Sequence, residues 1–371
     1  MFPVKTILII GYMHPKYDKR VFRTVKALSK YAKVVYQYIT DNDHVEKTDS
    51  SENIIYYPIY WCEDPNTSVF KKLFQRRKLD EQIIELIESM DFDILYMHHF
   101  LPSKPLFPFK WAKAHGKKVV FDVHEYHPQN FLANLGGVTG KLKEKFMMTI
   151  FKKQLELSDK LIFVSQEVPI EVGVSKDYLI MPNYAEKVNF SVDVQSKIEK
   201  KEIVFAGKIT RRFQEEKDIL LKLIEYGFSL RIIGMDSETF KDIPHMYTNF
   251  LPYTEMMKEL SKATFSLSSY STVGRKDYRN DLYSLPHKFY DSLAAKTPVI
   301  LRDDFVSMRN IVEKFGVGVV INPANVDESV RKIIDAYKNY ENLIDNIEKN
   351  IDEFTWNETK EREFVKYILD E

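Results

Sequence analysis

The sequence predicts an α/β protein built as two Rossmann-like halves that face each other across a cleft. Three observations carry this prediction. Short apolar runs alternate with amphipathic helical patterns almost from end to end, as in parallel sheets covered on both faces. The alternation lapses over 186–201, a polar and charged stretch without persuasive periodicity, and then restarts, as expected of an interdomain linker. The length, 371 residues, is long for one domain and comfortable for two. The halves are set at 1–185 and 186–354, with 355–371 as a terminal segment.

In the first half the strands read as 5–10, 33–38, 54–59, 93–98, 118–124, 160–165 and 178–181. Helical patterns lie between them at 21–30, 69–90, 108–115 and 141–157. Val21, Val25 and Leu28 form the apolar stripe of the first helix. The second half offers strands at 202–206, 230–235, 249–253, 265–269, 298–301 and 317–321. Residues 325–371 read as helices, broken by EFTWNET around Trp356. Such sheets bind ligands at the carboxyl ends of their strands.

Composition narrows the function. The hydrophobic fraction of 44% is that of a globular protein. A formal net charge of zero argues against a nucleic-acid binder, which needs a basic excess. Cations exceed acids by roughly four over 1–185, and the remainder is negative by the same amount. The lone Cys62 excludes an internal disulfide and fits a reducing compartment. No apolar run approaches the length of a membrane span. The early ILII is too short for a signal-peptide core and reads as a strand. A soluble cytoplasmic protein is expected.

The segment 285–300, LPHKFYDSLAAKTPVI, carries the strongest chemical signal. Pro286 suits a first helical position, and Phe289, Leu293 and Ala294 share a helix face. The helix N-terminus would face the cleft and favour anionic groups. One turn in, Asp291 is placed to accept hydrogen bonds from sugar hydroxyls. An ordinary helix with an exposed acid would read the same way.

Three other segments end at carboxyl edges. GYMHPKYDKRV follows the first strand and brings His14, Lys16, Asp18 and Arg20 toward the cleft. There Asp18 also suits a helix cap and Arg20 is read as solvated. KVVFDVHEYHPQ ends a buried strand with Asp122, His124, Glu125 and His127. A histidine there can meet a sugar hydroxyl, and the group lacks the H-E-x-x-H register of a metal site. In IVFAGKITRRFQEEKD, Gly207 allows a tight turn beside Lys208, Arg211, Arg212 and Lys217. Cations aimed at a departing diphosphate lower its barrier by about 3 kcal/mol for one good donor. The loop 271–284 adds Arg275, Lys276 and Arg279. Asp91 and Asp93 precede a strand and read as a helix-to-strand turn. The chain has no G-x-G-x-x-G, Walker A loop, nucleophile elbow or kinase signature set.

The helix 141–157 mixes lysines with Phe146, Met147, Ile150 and Phe151. That suits a membrane-surface helix, although a domain helix with a polar face is the reading preferred. The aromatic loop 100–111 suits contact with a lipid-linked or hydrophobic acceptor.

The segment 285–300 resembles the P-x-K-[LF]-[FY]-E-Y-x-A-A-G-x-P-V-I signature of GT-B glycosyltransferases, in the large retaining group that includes glycogen synthase. Asp291 stands for the family Glu, Lys296 for its Gly, and Tyr283 for a second Glu found eight residues earlier in many members. The turn at 14–21 is similar to the family's H-P-x-x-D-x-R-V, and 122–125 to its [DS]-x-H-[DE]. The Gly207–Lys208 pair resembles its strand-G-[RK]-L. The resemblance implies a catalytic group of His124, Lys208 and Arg212. It implies a donor site of Gly207, Lys217, Arg279, Pro286, His287, Lys288 and Asp291, with the ribose at Asp291. His14, Lys16 and Asp18 fall on the acceptor side. It further implies a terminal helix returning to the first domain and closure of the halves over the substrate.

The function expected is transfer of a sugar from a UDP- or GDP-linked donor to a carbohydrate or lipid-linked acceptor, in polysaccharide or glycoconjugate synthesis. Anomeric configuration would be retained, with neither metal nor cofactor. No nucleic-acid partner is expected, and weak association at the inner membrane face is allowed. A nucleotide-sugar 2-epimerase of the same fold and a non-catalytic sugar-nucleotide binder are the alternatives.

Overall fold

The computed structural model describes residues 5–41, 49–51, 53–62, 68–129, 137–207, 215–234, 240–269 and 278–370. They form two units, Met1–Met181 with Thr359–Glu371, and Pro182–Glu358. The boundaries thus fall near 185 and 354 without coinciding with them.

The first unit holds strands β1 (Thr6–Pro15), β2 (Lys33–Thr40), β3 (Asp49–Ser51), β4 (Ile54–Tyr60), β5 (Ile94–Met97), β6 (Lys118–Val123), β7 (Lys160–Phe163) and β8 (Tyr178–Ile180). Helices α1 (Lys19–Ser29), α2 (Val69–Ser89), α3 (Phe107–Ala114), α4 (Gly137–Leu157) and α5 (Glu167–Val172) connect them. The sheet order is β3-β4-β2-β1-β5-β6-β7-β8. Its ladders are parallel except for the β3–β4 pair. The sheet grows from β1 in both directions. Right-handed crossovers therefore put α1 on one face and α2 to α5 on the other.

The strand β1 outruns its expected end at 10, because pairing with β2 resumes at Pro15 after a register shift in which Tyr12 turns to φ 56°. Gly11 is needed there, since a Cβ would meet the Gln37 carbonyl at 2.7 Å. The Gln37 amide holds the irregular stretch by accepting from the Tyr12 N–H at 2.8 Å and donating to its carbonyl at 3.1 Å. His14 consequently sits on the strand end and not in the following turn.

The terminal helix, Glu358–Leu369, packs in this unit through Phe364, Val365, Ile368 and Leu369. Lysines of the strand starts secure its end. Lys5 donates to the Leu369 carbonyl at 2.8 Å and Lys118 to that of Ile368 at 2.6 Å. Asp370 pairs with Lys118 and Lys160 at 2.6 and 2.9 Å.

The second unit runs β9 (Ala185–Glu186), α6 (Val194–Lys200), β10 (Glu202–Gly207), α7 (Lys217–Glu225), β11 (Ser229–Gly234), β12 (Met246–Asn249), α8 (Tyr253–Lys262), β13 (Phe265–Leu267), α9 (Arg279–Leu282) and α10 (His287–Ala294). It continues with β14 (Val299–Arg302), α11 (Val306–Phe315), β15 (Gly318–Ile321), α12 (Val326–Lys338), α13 (Tyr340–Lys349), α14 (Ile351–Phe354) and β16 (Thr355–Trp356). Its main sheet has the order β12-β11-β10-β13-β14-β15, parallel throughout. The strand β16 pairs with β9 beside it.

Three expectations are corrected in this unit. The stretch 186–201 is not only a linker. It forms α6, and the ammonium of buried Lys197 donates to the Lys296 carbonyl at 2.8 Å and Thr297 Oγ1 at 2.9 Å. The strand expected at 249–253 lies at Met246–Asn249 instead. Pro252 then caps α8, whose Met257 and Leu260 are buried. Pro286 is the N-cap of α10 and not its first helical residue. Lys296, where the resembling family has Gly, follows α10 with φ 54°. This left-handed turn favours glycine, and the Lys296 ammonium pairs with Glu348 at 2.6 Å.

Candidate functional site

At the carboxyl edge of the first sheet, β1, β5 and β6 are neighbours and each ends in a histidine region. His98 Nδ1 lies 3.1 Å from His124 Nε2 and 3.4 Å from Asp122 Oδ2. The rings of His14 and His124 approach with centroids 5.3 Å apart. His98 is fully buried, while His124 and His14 are partly open to solvent. Burial lowers the pKa of His98 to about 3, against the opposing pull of Asp122. Burial, then the Arg20 guanidinium, lowers that of His124 well below its ordinary value. Both imidazoles are therefore neutral.

Arg20, read above as solvated, is buried and anchors this edge. Its Nε and Nη2 donate to Asp122 Oδ1 at 3.2 and 2.6 Å, and Nη1 donates to the Met181 carbonyl at 2.5 Å. The Tyr96 hydroxyl donates to Asp122 Oδ2 at 3.0 Å. A buried guanidinium requires such partners, because an unpaired charge in low dielectric is expensive.

Asp18 does cap α1, accepting from the N–H groups of Arg20 and Val21, and also meets His14 Nδ1 at 3.2 Å. Lys16 stands over the Tyr56 ring at 3.9 Å. His14, Lys16, Asp18 and His124 thus belong to one strand edge. His127 separates from them into a buried aromatic group with Phe100, Phe121 and Phe151, and Glu125 is exposed. Asp93 accepts from the Thr6 N–H at 2.7 Å at the opposite edge, as a helix-to-strand turn requires.

Among the described residues, the group able to offer three metal-ligand atoms is His98, Asp122 and His124, all within 4.8 Å of one another. It differs from the His124, Glu125 and His127 set weighed from the sequence. A cation there would have to share Asp122 with Arg20.

In the second unit, Gly207 and Gly234 end adjacent strands with φ 127° and 123°. A Cβ on Gly234 would lie 2.6 Å from the Gly207 carbonyl oxygen, so the two strand ends lie this close only because Gly234 has no side chain. Helix α10 starts at the same edge, since it precedes a parallel strand. Lys288 is turned inward. Its ammonium donates to the Ser269 carbonyl and lies 4.3 Å from the Phe205 ring centroid. Burial lowers its pKa to about 7, with Glu216 opposing. Burial also raises Glu216 to about 7, against the Arg302 charge. Ser269 Oγ donates to Glu216 at 2.5 Å.

Asp291 is buried, contrary to the exposed acid of the bland sequence reading, and its Oδ1 accepts from the Tyr253 hydroxyl at 2.8 Å. His287 and Arg279 open α10 and α9 and are half-buried. Lys217 opens α7 and pairs with Asp242 at 3.2 Å. Lys208, Arg211, Arg212, Arg275 and Lys276 lie outside the described residues. Sequence reasoning missed His98, Tyr253 and the Arg20–Asp122 pair. A histidine closing the strand expected at 93–98 was the available signal for the first.

No family model matches the chain, and no curated protein does. Solved structures do. Sucrose-phosphate synthase from Thermosynechococcus elongatus is 13% identical with TM-score 0.67, covering 98% of each chain. A glycosyltransferase from Rickettsia africae is 14% identical with TM-score 0.61 and 99% coverage of both chains. An E. coli trehalose-6-phosphate protein bound with UDP-2-fluoro glucose is 13% identical with TM-score 0.59, covering 93% of this chain and 96% of its own. The chain has the fold of the GT-B glycosyltransferases.

Proposed function

We propose that the protein is a retaining, metal-independent glycosyltransferase that moves a hexosyl group from a UDP- or GDP-linked donor to a hydroxyl acceptor, carbohydrate or lipid-linked. One observation carries the reading. Helix α10, which bears the P-x-K-F-Y-D sequence, opens at the carboxyl edge of a parallel sheet, where anionic ligands of such folds bind. The full-length likeness to glycosyltransferase structures, one holding UDP-2-fluoro glucose, supports it.

In this reading the anomeric carbon–oxygen bond to phosphate breaks and its electron pair goes to the phosphate oxygen. The acceptor oxygen bonds to the same face of that carbon, and its proton passes to a phosphate oxygen. No carboxylate nucleophile is needed. His124 holds the donor sugar as a neutral hydrogen-bonding group, while Lys208 and Arg212 neutralise the departing diphosphate. Asp291 takes the ribose, and His14, Lys16 and Asp18 meet the acceptor. Metal independence is supported by Asp122, whose Oδ1 already takes two N–H groups of buried Arg20.

The test is turnover of a panel of UDP- and GDP-sugars, with and without acceptors and with EDTA. Release of nucleoside diphosphate that survives chelation, with retained configuration in the product, is expected. Isomerised donor would identify an epimerase, and binding without turnover a sugar-nucleotide binder.

A further inference from the structure

Two helices of the first unit leave large apolar side chains in solvent. On α2 these are Leu73 and Phe74, 59% and 70% exposed. On α4 they are Val138, Leu142 and Phe146, 75%, 65% and 64% exposed. The last three repeat every fourth residue and so form a stripe.

The placement of the stripes follows from length. Each helix has 21 residues and is about 31 Å long. Each leads into a strand of 4 residues, about 13 Å. Among the described side chains of α2, burial begins at Leu79, with Ile83 and Ile87 following, and on α4 the large buried side chains are Phe151, Gln154 and Leu155. The second halves cover the sheet. Asp80 accepts from the Ser103 N–H at 2.9 Å, and Gln154 donates to the Pro105 carbonyl at 2.9 Å, so both helices grip one turn. Their first halves start from the carboxyl edge of the sheet on the same face, and there the apolar side chains protrude.

Charge surrounds them. Residues 71–78 contain five cations and no acid. Lys141, Lys143 and Lys145 flank Leu142 and Phe146 and are exposed. The intervening Glu144 is turned to Gln129, which donates to it at 2.9 Å. Protruding apolar groups ringed by lysines match a surface with anionic headgroups over an apolar interior. A second copy of the chain would bring the same positive charge to the contact.

We propose that the first halves of α2 and α4 together dock the protein on an anionic lipid surface, with Phe74 and Phe146 entering the headgroup layer. The reading of 141–157 as an ordinary domain helix then describes only its second half.

Sedimentation with phosphatidylcholine vesicles, with and without phosphatidylglycerol, tests this. The protein is expected to bind the anionic vesicles at least about tenfold more than the neutral ones, and less as salt rises. The double variant Phe74→Asp, Phe146→Asp should lose this binding while keeping its melting temperature. Lys141→Glu with Lys145→Glu should weaken it without touching an apolar group. Sedimentation equal to the parent in both variants would overturn the proposal. So would absence of binding to anionic vesicles at low salt, or a parent dimer that Phe74→Asp, Phe146→Asp converts to a monomer without any vesicle binding.

Discussion

His98 Nδ1 and His124 Nε2 lie 3.1 Å apart, and this contact determines which face His124 shows to the site. Burial keeps both rings neutral, so each carries one N–H. His98 Nε2 is buried with no hydrogen-bond partner. A proton there would be an orphaned donor, whereas on Nδ1 it faces His124 and Asp122. His98 therefore donates from Nδ1, His124 accepts at Nε2, and the His124 proton sits on Nδ1.

The first prediction follows from that assignment. Nitrogen NMR should find His124 as the Nδ1–H tautomer in the unliganded protein. His98→Ala should release it and lower kcat more than it raises KM. One positioning hydrogen bond contributes about 1 kcal/mol, which is about fivefold in rate. A His124 proton on Nε2 would reverse the assignment, whatever the activity proves to be.

Stability should fall steeply in mild acid. His98, His99, His124 and His127 all have pKa values lowered by burial. In the unfolded chain each titrates near its ordinary 6.5, so below that pH the unfolded state binds more protons. Folding is then progressively disfavoured from pH 6.5 downward, to about 3 for His98 and His99. Four such groups give a slope of up to about 5 kcal/mol per pH unit. Urea midpoints between pH 7 and 5 should drop accordingly, and His127→Phe should make the drop shallower. A flat profile over that range would contradict the buried neutral state.

Arg20 should be indispensable to the fold of the first unit. Arg20→Met leaves Asp122 buried without its cation and should cost about 3–5 kcal/mol. The reading is checked by urea unfolding. A loss below about 1 kcal/mol, the level of an exposed pair, would mean that the contact is screened by water.

Both sheets were legible because buried parallel strands are short continuous apolar runs, and twelve of the thirteen expected strands differ only in where they stop or start. The exceptions have physical causes. Around Pro252, an aromatic-rich stretch reads as a strand until the helical spacing of Met257 and Leu260 is weighed. In 194–200 the lysine that looks like linker charge is the residue that buries. Sequence could not distinguish Arg20 as solvated from Arg20 as buried, since its partner Asp122 lies a hundred residues away and meets it only through sheet order. His98 and His124, 26 residues apart, are hidden from each other in the same way. Their strands become neighbours in the fold, and nothing local to either says so.

The last prediction concerns whether Asp291 serves a ligand or only the fold. Its Oδ1 accepts from the Tyr253 hydroxyl at 2.8 Å. Burial raises the Tyr253 pKa, with the Asp291 charge adding to it, so the phenol stays a donor. Replacing Asp291 by alanine would confuse two effects, loss of a nucleotide contact and loss of the Tyr253 partner. Asp291→Asn separates them. The amide oxygen still accepts from Tyr253, so melting should change little. The charge that would strengthen hydrogen bonds from ribose hydroxyls is gone, which should weaken nucleoside diphosphate binding by about 1 kcal/mol or more, near fivefold. Tyr253→Phe makes the converse change and should lower stability while leaving nucleotide affinity within about twofold, below half a kcal/mol. Calorimetric titration of both variants decides the matter. If Asp291→Asn binds nucleotides as the parent does, and only Tyr253→Phe has an effect, then Asp291 is a structural acceptor for Tyr253 and the ribose is held elsewhere.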